Sequence, residues 1–165
     1  PIGRTGSRDP MYEIADDYLG YWFAALRDDA DLIEGGQGAA IQRRTDGRWQ
    51  RHVARVFEAA ARAQTIRMVG GELPETTVVG RWWKDETAEI DVLGLDDETP
   101  VLIGECRWQN RPLSERDLAE LRAKAVHVSD VPGTPLFGLW SRGGATDAVR
   151  GHPDVRVYGC EDLLR

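Results

Sequence analysis

Cysteine is scarce: Cys106 and Cys160 are the only two in 165 residues, too few and too far apart for a disulfide framework or a thiolate metal cage. A reducing, cytoplasmic setting is therefore expected, and zinc is not. Histidine is scarce too, and His52, His127 and His152 match no ligand spacing. No apolar run approaches the ~20 residues that span a bilayer. The chain does not open on a secretory segment either, so no membrane partner is expected. Positive charge falls short of negative, with 21 Lys and Arg against 28 Asp and Glu, giving a net charge of -7. That balance argues against a dedicated nucleic-acid binder, which usually carries a basic stripe. It leaves room for an enzyme whose metal neutralises an acidic site. Ser7 and Ser141 lack a nucleophile elbow, and no Lys-Ser/Thr pair follows Gly143-Gly144 as a phosphate loop would require.

The length suits one domain with a full core and a short appendage. The first residue is Pro1, and a Gly/Arg/Ser-rich segment follows, so the chain reads as a piece of a longer protein. Met11–Ile14 is expected as a short strand. Asp16 or Asp17 then caps a helix carrying Tyr18, Leu19, Trp22, Phe23 and Leu26. Such dense aromatics fit ordinary core packing or a contact with a neighbouring domain. Residues 28–45, broken at Gly35-Gly36, read as a connector. From Asp46 to about Arg67 a helical period returns, with Trp49, Val53, Val56, Phe57 and Ala60 as its apolar stripe. Glu58 borders that stripe, where it either points at a site or pairs with Arg55 or Arg62.

Strands are expected at Thr76–Trp83, from Glu89, and from Val101 to Arg107. The last two are joined by the turn-forming Asp96-Asp97-Glu98-Thr99-Pro100. A helix capped by Ser114 and Asp117 follows, with Leu118, Leu121, Ala125 and Val128 as its buried face. Leu136–Trp140 reads as a buried strand, Thr146–Arg150 as a short helix, and Asp154–Tyr158 as a final strand before a last helical turn. From Asp46 the order is α-β-β-β-α-β. It predicts an α/β fold with a mixed central sheet flanked by helices, preceded by a small helical appendage.

Chemistry concentrates in the hairpin. Side-chain alternation puts Val101, Ile103, Glu105 and Arg107 on one face, and Glu89, Asp91 and Leu93 together. Carboxylates at the ends of apolar strands are costly to bury unless they are paired or bound to a cation. The tryptophans nearby, Trp82, Trp83 and Trp108, suit core packing or stacking on bases.

Asp91, a hairpin, then Glu105-Cys106-Arg107 resembles the PD-(D/E)XK signature of restriction-endonuclease-like phosphodiesterases, whose αβββαβ core has the order just read. More closely, the chain is similar to the C-terminal region of archaeal-type P-loop ATPases, catalogued as a domain of unknown function. Tyr12-Glu13-Ile14-Ala15-Asp16 with Leu19 and Tyr21-Trp22-Phe23, Phe57-Glu58, Glu89-Ile90-Asp91 and Gly104-Glu105-Cys106-Arg107-Trp108 carry that likeness. The resemblance implies residues 1–45 as a wing remnant and helical connector and 46–165 as a nuclease-like domain. It also implies upstream ATPase and winged-helix domains in the same full-length chain.

By the same resemblance Asp91, Glu105 and the carbonyl of Cys106 would hold Mg²⁺ or Mn²⁺, hard cations that prefer oxygen. Glu58 would be the acidic residue of the first helix, and nucleic acid the substrate. The sequence departs from the signature at Arg107, where the family carries lysine; arginine keeps the charge but is planar and does not deprotonate. Lys84, in the preceding turn, is a candidate substitute. Asp91, Glu105 and Arg107 therefore fit an active site, a degenerate site in a module that docks to or regulates the ATPase, or a structural ion network.

Overall fold

No proline interrupts the chain between Gly38 and Met68, and alanines and arginines, good helix formers, fill much of it. In the computed structural model this stretch is one helix of 31 residues, Gly38–Met68. The expected start at Asp46 is thus corrected: the break stays at Gly35-Gly36, where Gly36 adopts φ 76, and the helix sets in directly behind it. The structure describes residues 2, 14–84, 88–128 and 134–164. The strand expected at Met11–Ile14 falls outside these, apart from Ile14, which is exposed and in no strand.

Along the chain run helices α1 (Asp17–Tyr21), α2 (Ala30–Glu34) and α3 (Gly38–Met68), with a π-helical turn at Trp22–Leu26 and a 3-10 turn at Arg27–Asp29. Strands β1 (Val78–Lys84), β2 (Ala88–Asp96) and β3 (Thr99–Arg107) follow. Then come α4 (Glu115–Ala125), β4 (Leu136–Ser141), α5 (Asp147–Arg150), β5 (Val155–Tyr158) and a 3-10 turn at Asp162–Leu164. The chain divides into two compact units whose boundary falls between Val56 and Phe57, inside α3.

Within the helical unit, Asp16 caps α1 by accepting the Leu19 N–H at 2.8 Å. Described residues 14–45 contribute no strand. Ile41, Thr45 and His52 form the buried side of α3 here, while Trp49 is 45% exposed and rests its ring edge-on against Tyr21. This corrects the expected stripe. A stripe through Trp49 does not describe the buried side of α3 in this unit. Phe23 is 51% exposed and Trp22 half-buried.

The second unit is a five-stranded sheet in the order β1-β2-β3-β4-β5. β1–β2 and β2–β3 are antiparallel, whereas β3–β4 and β4–β5 are parallel. The crossover through α4 makes the first parallel pair, as the pattern predicted. Asp117 fixes the start of α4 by accepting from both the N–H and the hydroxyl of Ser114, at 2.8 and 2.6 Å. Leu118 and Leu121 of α4 pack with Ile90, Leu93, Ile103 and Leu139 in one core. Phe57 and Ala61 of α3 pack with Val92, Leu102, Cys106, Trp140 and Tyr158 in the other. The result is a mixed α/β fold with apolar cores on both faces of its sheet.

β2 carries the one local irregularity that matters for the site. Between the pairs Gly80↔Leu93 and Trp82↔Ile90, β1 advances two residues and β2 three. The extra residue lies in Asp91-Val92, a β-bulge. Ile90 and Leu93 consequently share a core, which strict alternation would forbid. The expectation that Glu89, Asp91 and Leu93 follow one uninterrupted alternation is corrected accordingly.

Candidate active site

The β2–β3 register runs from Asp96↔Thr99 to Val92↔Gly104. One residue further on each strand stand Asp91 and Glu105. Beyond this point Trp82, Trp83 and Lys84 of β1 pair with β2 residues 88–90, while Glu105, Cys106 and Arg107 pair with Leu139, Trp140 and Ser141 of β4. The two carboxylates therefore sit at a fork where β2 and β3 part company. At this point the Cys106 N–H donates to Asp91 Oδ2 at 2.8 Å, a side chain standing in for a ladder carbonyl. The bulge aims Asp91 across the fork. The fork also lies at the carboxyl ends of β3 and β4, a usual place for ligands in open α/β sheets.

Glu105, with its side chain 7% exposed, is held by two cations. Lys124 Nζ lies 2.8 Å from Oε2 and 3.0 Å from Oε1, and Arg107 Nη2 lies 2.7 Å from Oε1. Lys124 comes from the last turn of α4. The sequence reading overlooked it, although the chain contains only two lysines, Lys84 and Lys124. Lys84 is exposed at the end of β1 in register with Ala88, and it is Lys124 that reaches Glu105.

Glu58 approaches from α3. Its ion pair is with Arg81 of β1, at 3.9 Å, while Arg62 donates to the Asp91 carbonyl at 3.0 Å. The expected helical pairing with Arg55 or Arg62 gives way to this cross-element contact. Burial, followed by repulsion from Asp91, pushes the Glu58 carboxyl up to about 7. Burial likewise raises Asp91 against the opposing Cys106 hydrogen bond. In Glu105, burial and then the Asp91 charge outweigh the pull of Lys124 and Arg107. The Cys106 thiol is 7% exposed among apolar neighbours, and burial pushes it well above the ordinary thiol range. Cys106 thus offers its backbone rather than a thiolate.

Of the tryptophans, Trp82 is core, whereas Trp108 is half-buried between Phe57, at 5.4 Å, and the Arg142 guanidinium, at 4.8 Å. Asp91, Glu105 and the Cys106 carbonyl are the residues that would supply hard oxygen donors of the kind Mg²⁺ or Mn²⁺ accepts. No group of three or more His, Cys, Asp or Glu arranged to hold a metal occurs among the described residues. A two-carboxylate site completed by a carbonyl is compatible with that, provided an ion takes over part of the compensation that Lys124 and Arg107 now give Glu105.

A pH effect follows from Glu58. A carboxyl raised in the folded state binds protons more tightly there than in the unfolded chain, so stability falls as pH rises from about 4.5 through about 7. Glu58→Gln removes this loss. Its stability relative to the parent should rise between pH 5 and 8 by on the order of 1 kcal/mol, a figure discounted for the group's partial exposure. Urea unfolding at the two pH values reads it.

No curated protein and no solved structure matches the chain. One family model does, DUF234, described as archaea bacterial proteins of unknown function, over residues 22–121. The match takes in Glu58, Asp91, Glu105 and Arg107 and ends just before Lys124. Because it spans more than half of the 165 residues, the chain belongs to that family of archaeal and bacterial proteins.

Proposed function

We propose that the β2–β3 fork is a Mg²⁺- or Mn²⁺-dependent site for hydrolysing phosphodiester bonds in nucleic acid, on a restriction-endonuclease-like core. The observation that carries this reading is the meeting of Asp91 and Glu105 at the fork with the Lys124 ammonium on Glu105. Asp91, Glu105 and the Cys106 carbonyl would hold the ion, which when bound supplies Lewis-acid activation of a water. The chain's own residues supply the rest. Lys124 provides the compact ammonium that Arg107 does not, positioned to stabilise charge developing on a phosphate oxygen. Arg107 adds a second fixed positive charge. Glu58, with its carboxyl near 7, is matched to accept a proton at neutral pH. Upstream ATPase and winged-helix domains in the full-length chain would make this a nuclease module attached to a motor.

A second reading is favoured by one observation: both Glu105 oxygens are engaged by Lys124, and one also by Arg107. Such a closed ion network suits a degenerate module that docks to or regulates the ATPase. Plasmid nicking with Mn²⁺ separates the two. The nuclease reading expects slow nicking by the parent, a loss of about 10²-fold or more in Lys124→Met, and retention or gain in Arg107→Lys. If the parent does not nick and Arg107→Lys gains nothing, the regulatory reading replaces it.

A further inference from the structure

Between Gly38 and Val56 the first half of α3 holds five arginines, Arg43, Arg44, Arg48, Arg51 and Arg55, against a single acid, Asp46. The chain as a whole is acidic, at -7, so the overall balance conceals a local reversal of sign. Four of the five follow one another at intervals of four, three and four residues. At 3.6 residues per turn, Arg44, Arg48, Arg51 and Arg55 fall within about 60° of one another around the helix axis. They make a straight row, roughly 16 Å long at 1.5 Å per residue, on one face of a continuous helix.

Every member of the row is exposed. Arg44 forms one ion pair, with Asp29 at 3.1 Å, and its side chain stays 62% exposed. Arg48 donates to the Ala25 carbonyl at 3.2 Å. A guanidinium has five N–H donors, so these single bonds hold the side chains while leaving most of their donors unused. Arg51 and Arg55 make no ion pair among the described residues. An ordinary solvated helix face intersperses the two signs, so that each arginine has an acid three or four residues away. Here those neighbours are mostly other arginines, which repel one another. The one acid at such a distance, Glu58 after Arg55, has its ion pair with Arg81 instead. The fold gains nothing from this repulsion, and an anionic partner would relieve it.

We propose that this row is a contact surface for the phosphate backbone of nucleic acid, bound without regard to base sequence. A polymer with a charge on every unit meets each arginine of a straight row, and the planar guanidinium fork matches phosphate oxygens in pairs. The chain's two lysines, Lys84 and Lys124, lie outside the row, so it is built from arginine alone. Because the net charge repels polyanions at a distance, binding here is short-ranged and steeply salt-dependent. The row uses no residue of the β2–β3 fork, so the proposal does not rest on cleavage there.

The test is fluorescence anisotropy of a labelled DNA duplex with the chain in EDTA, over a series of salt concentrations. With four phosphates engaged, log K against log salt should fall with a slope of about -3.6. Arg51→Gln/Arg55→Gln should weaken binding at least about tenfold at low salt and bring the slope about 2 nearer to zero. Arg51→Lys/Arg55→Lys, which keeps the charge, should keep the slope. Arg116→Gln, which removes an 88% exposed arginine from α4, should bind like the parent. Without DNA, Arg51→Gln/Arg55→Gln should melt at or above the parent temperature, since it removes like-charge repulsion. The proposal is overturned if the duplex does not bind, or if Arg51→Gln/Arg55→Gln binds like the parent or melts several degrees lower. It is overturned too if Arg116→Gln weakens binding as much, or if poly-L-glutamate displaces the duplex at equal charge, which would assign the row to an acidic protein segment. A chain that binds the duplex in EDTA but does not nick with Mn²⁺ loses the fork reading and keeps this one.

Discussion

Asp91→Asn is expected to abolish metal-dependent cleavage while leaving the fold as stable as the parent, or more so, at pH 8. The carboxylate is buried at the fork, and burial raises its pKa, so the folded chain resists its ionisation. Asparagine keeps the shape and an acceptor for the Cys106 N–H, now 2.8 Å from Oδ2, but removes the charge. Losing even an outer partner of a metal site commonly costs 10–100-fold in metal affinity or activity, so a first ligand should cost at least about 100-fold. Glu105→Gln should also inactivate, with a smaller gain in stability, because burial and the Asp91 charge raise its carboxyl while Lys124 and Arg107 oppose that shift. It leaves Lys124 and Arg107 side by side without the carboxylate that holds both. A plasmid-nicking series alongside urea melts reads both quantities. A catalytic fork predicts activity lost in both variants with no loss of fold. Asp91→Asn with parental nicking removes Asp91 from the chemistry.

Gly138→Ala should be among the most destabilising single-methyl changes in the sheet. A Cβ there would lie 2.5 Å from Trp140 Cζ3 and 2.7 Å from Cη2; one at Gly104, opposite it on β3, would lie 2.7 Å from the same Cζ3. Trp140 is wholly buried and has little freedom to retreat, with its Nε1 bonded to Gln64 and its ring stacked on Tyr158. Overpacking of this kind typically costs 1–3 kcal/mol, and the upper end applies where the neighbour is an anchored ring. Gly143→Ala provides a comparison of another sort, since its Cβ would meet the Arg111 carbonyl at 2.4 Å in a connecting loop. A Gly138→Ala protein that melts within a degree of the parent would show that the Trp140 ring shifts freely. The sheet's central contact would then be softer than described.

The parts of this fold that were legible in the sequence are those set by local chemistry. The Asp96-Asp97 turn, the Ser114–Asp117 box and the apolar Leu136–Trp140 run each act within a few residues, and each appears where expected. The α-β-β-β-α-β order and the mixed sheet followed from them. The rest depended on tertiary partners. Gly38–Ala40 has no stop signal of its own, so the true helix start was hidden by the glycines just before it. Trp49 looked like core because its spacing matches Val53 and Val56, but the buried positions of α3 in this unit are Ile41, Thr45 and His52. The bulge at Asp91-Val92 has no signature in composition; it shows only in the register against β1. Asp91, Glu105 and Arg107 were visible because charges stood out on apolar strands. Lys124 was not, because a lysine in the last turn of an amphipathic helix normally reads as solvated. That it was one of only two lysines was the available clue.

The most direct test of the fork as a metal-dependent site is calorimetric titration of Mn²⁺ into the chain at pH 8, repeated with Asp91→Asn. One saturable site is expected in the parent at or below millimolar metal, and its loss in Asp91→Asn. Weaker binding is expected at pH 6, where Glu58, its carboxyl raised to about 7, holds a proton and leaves less negative charge beside the ion. Absence of saturable heat from the parent at millimolar Mn²⁺, or equal binding by Asp91→Asn, would contradict the fork as a metal-dependent site.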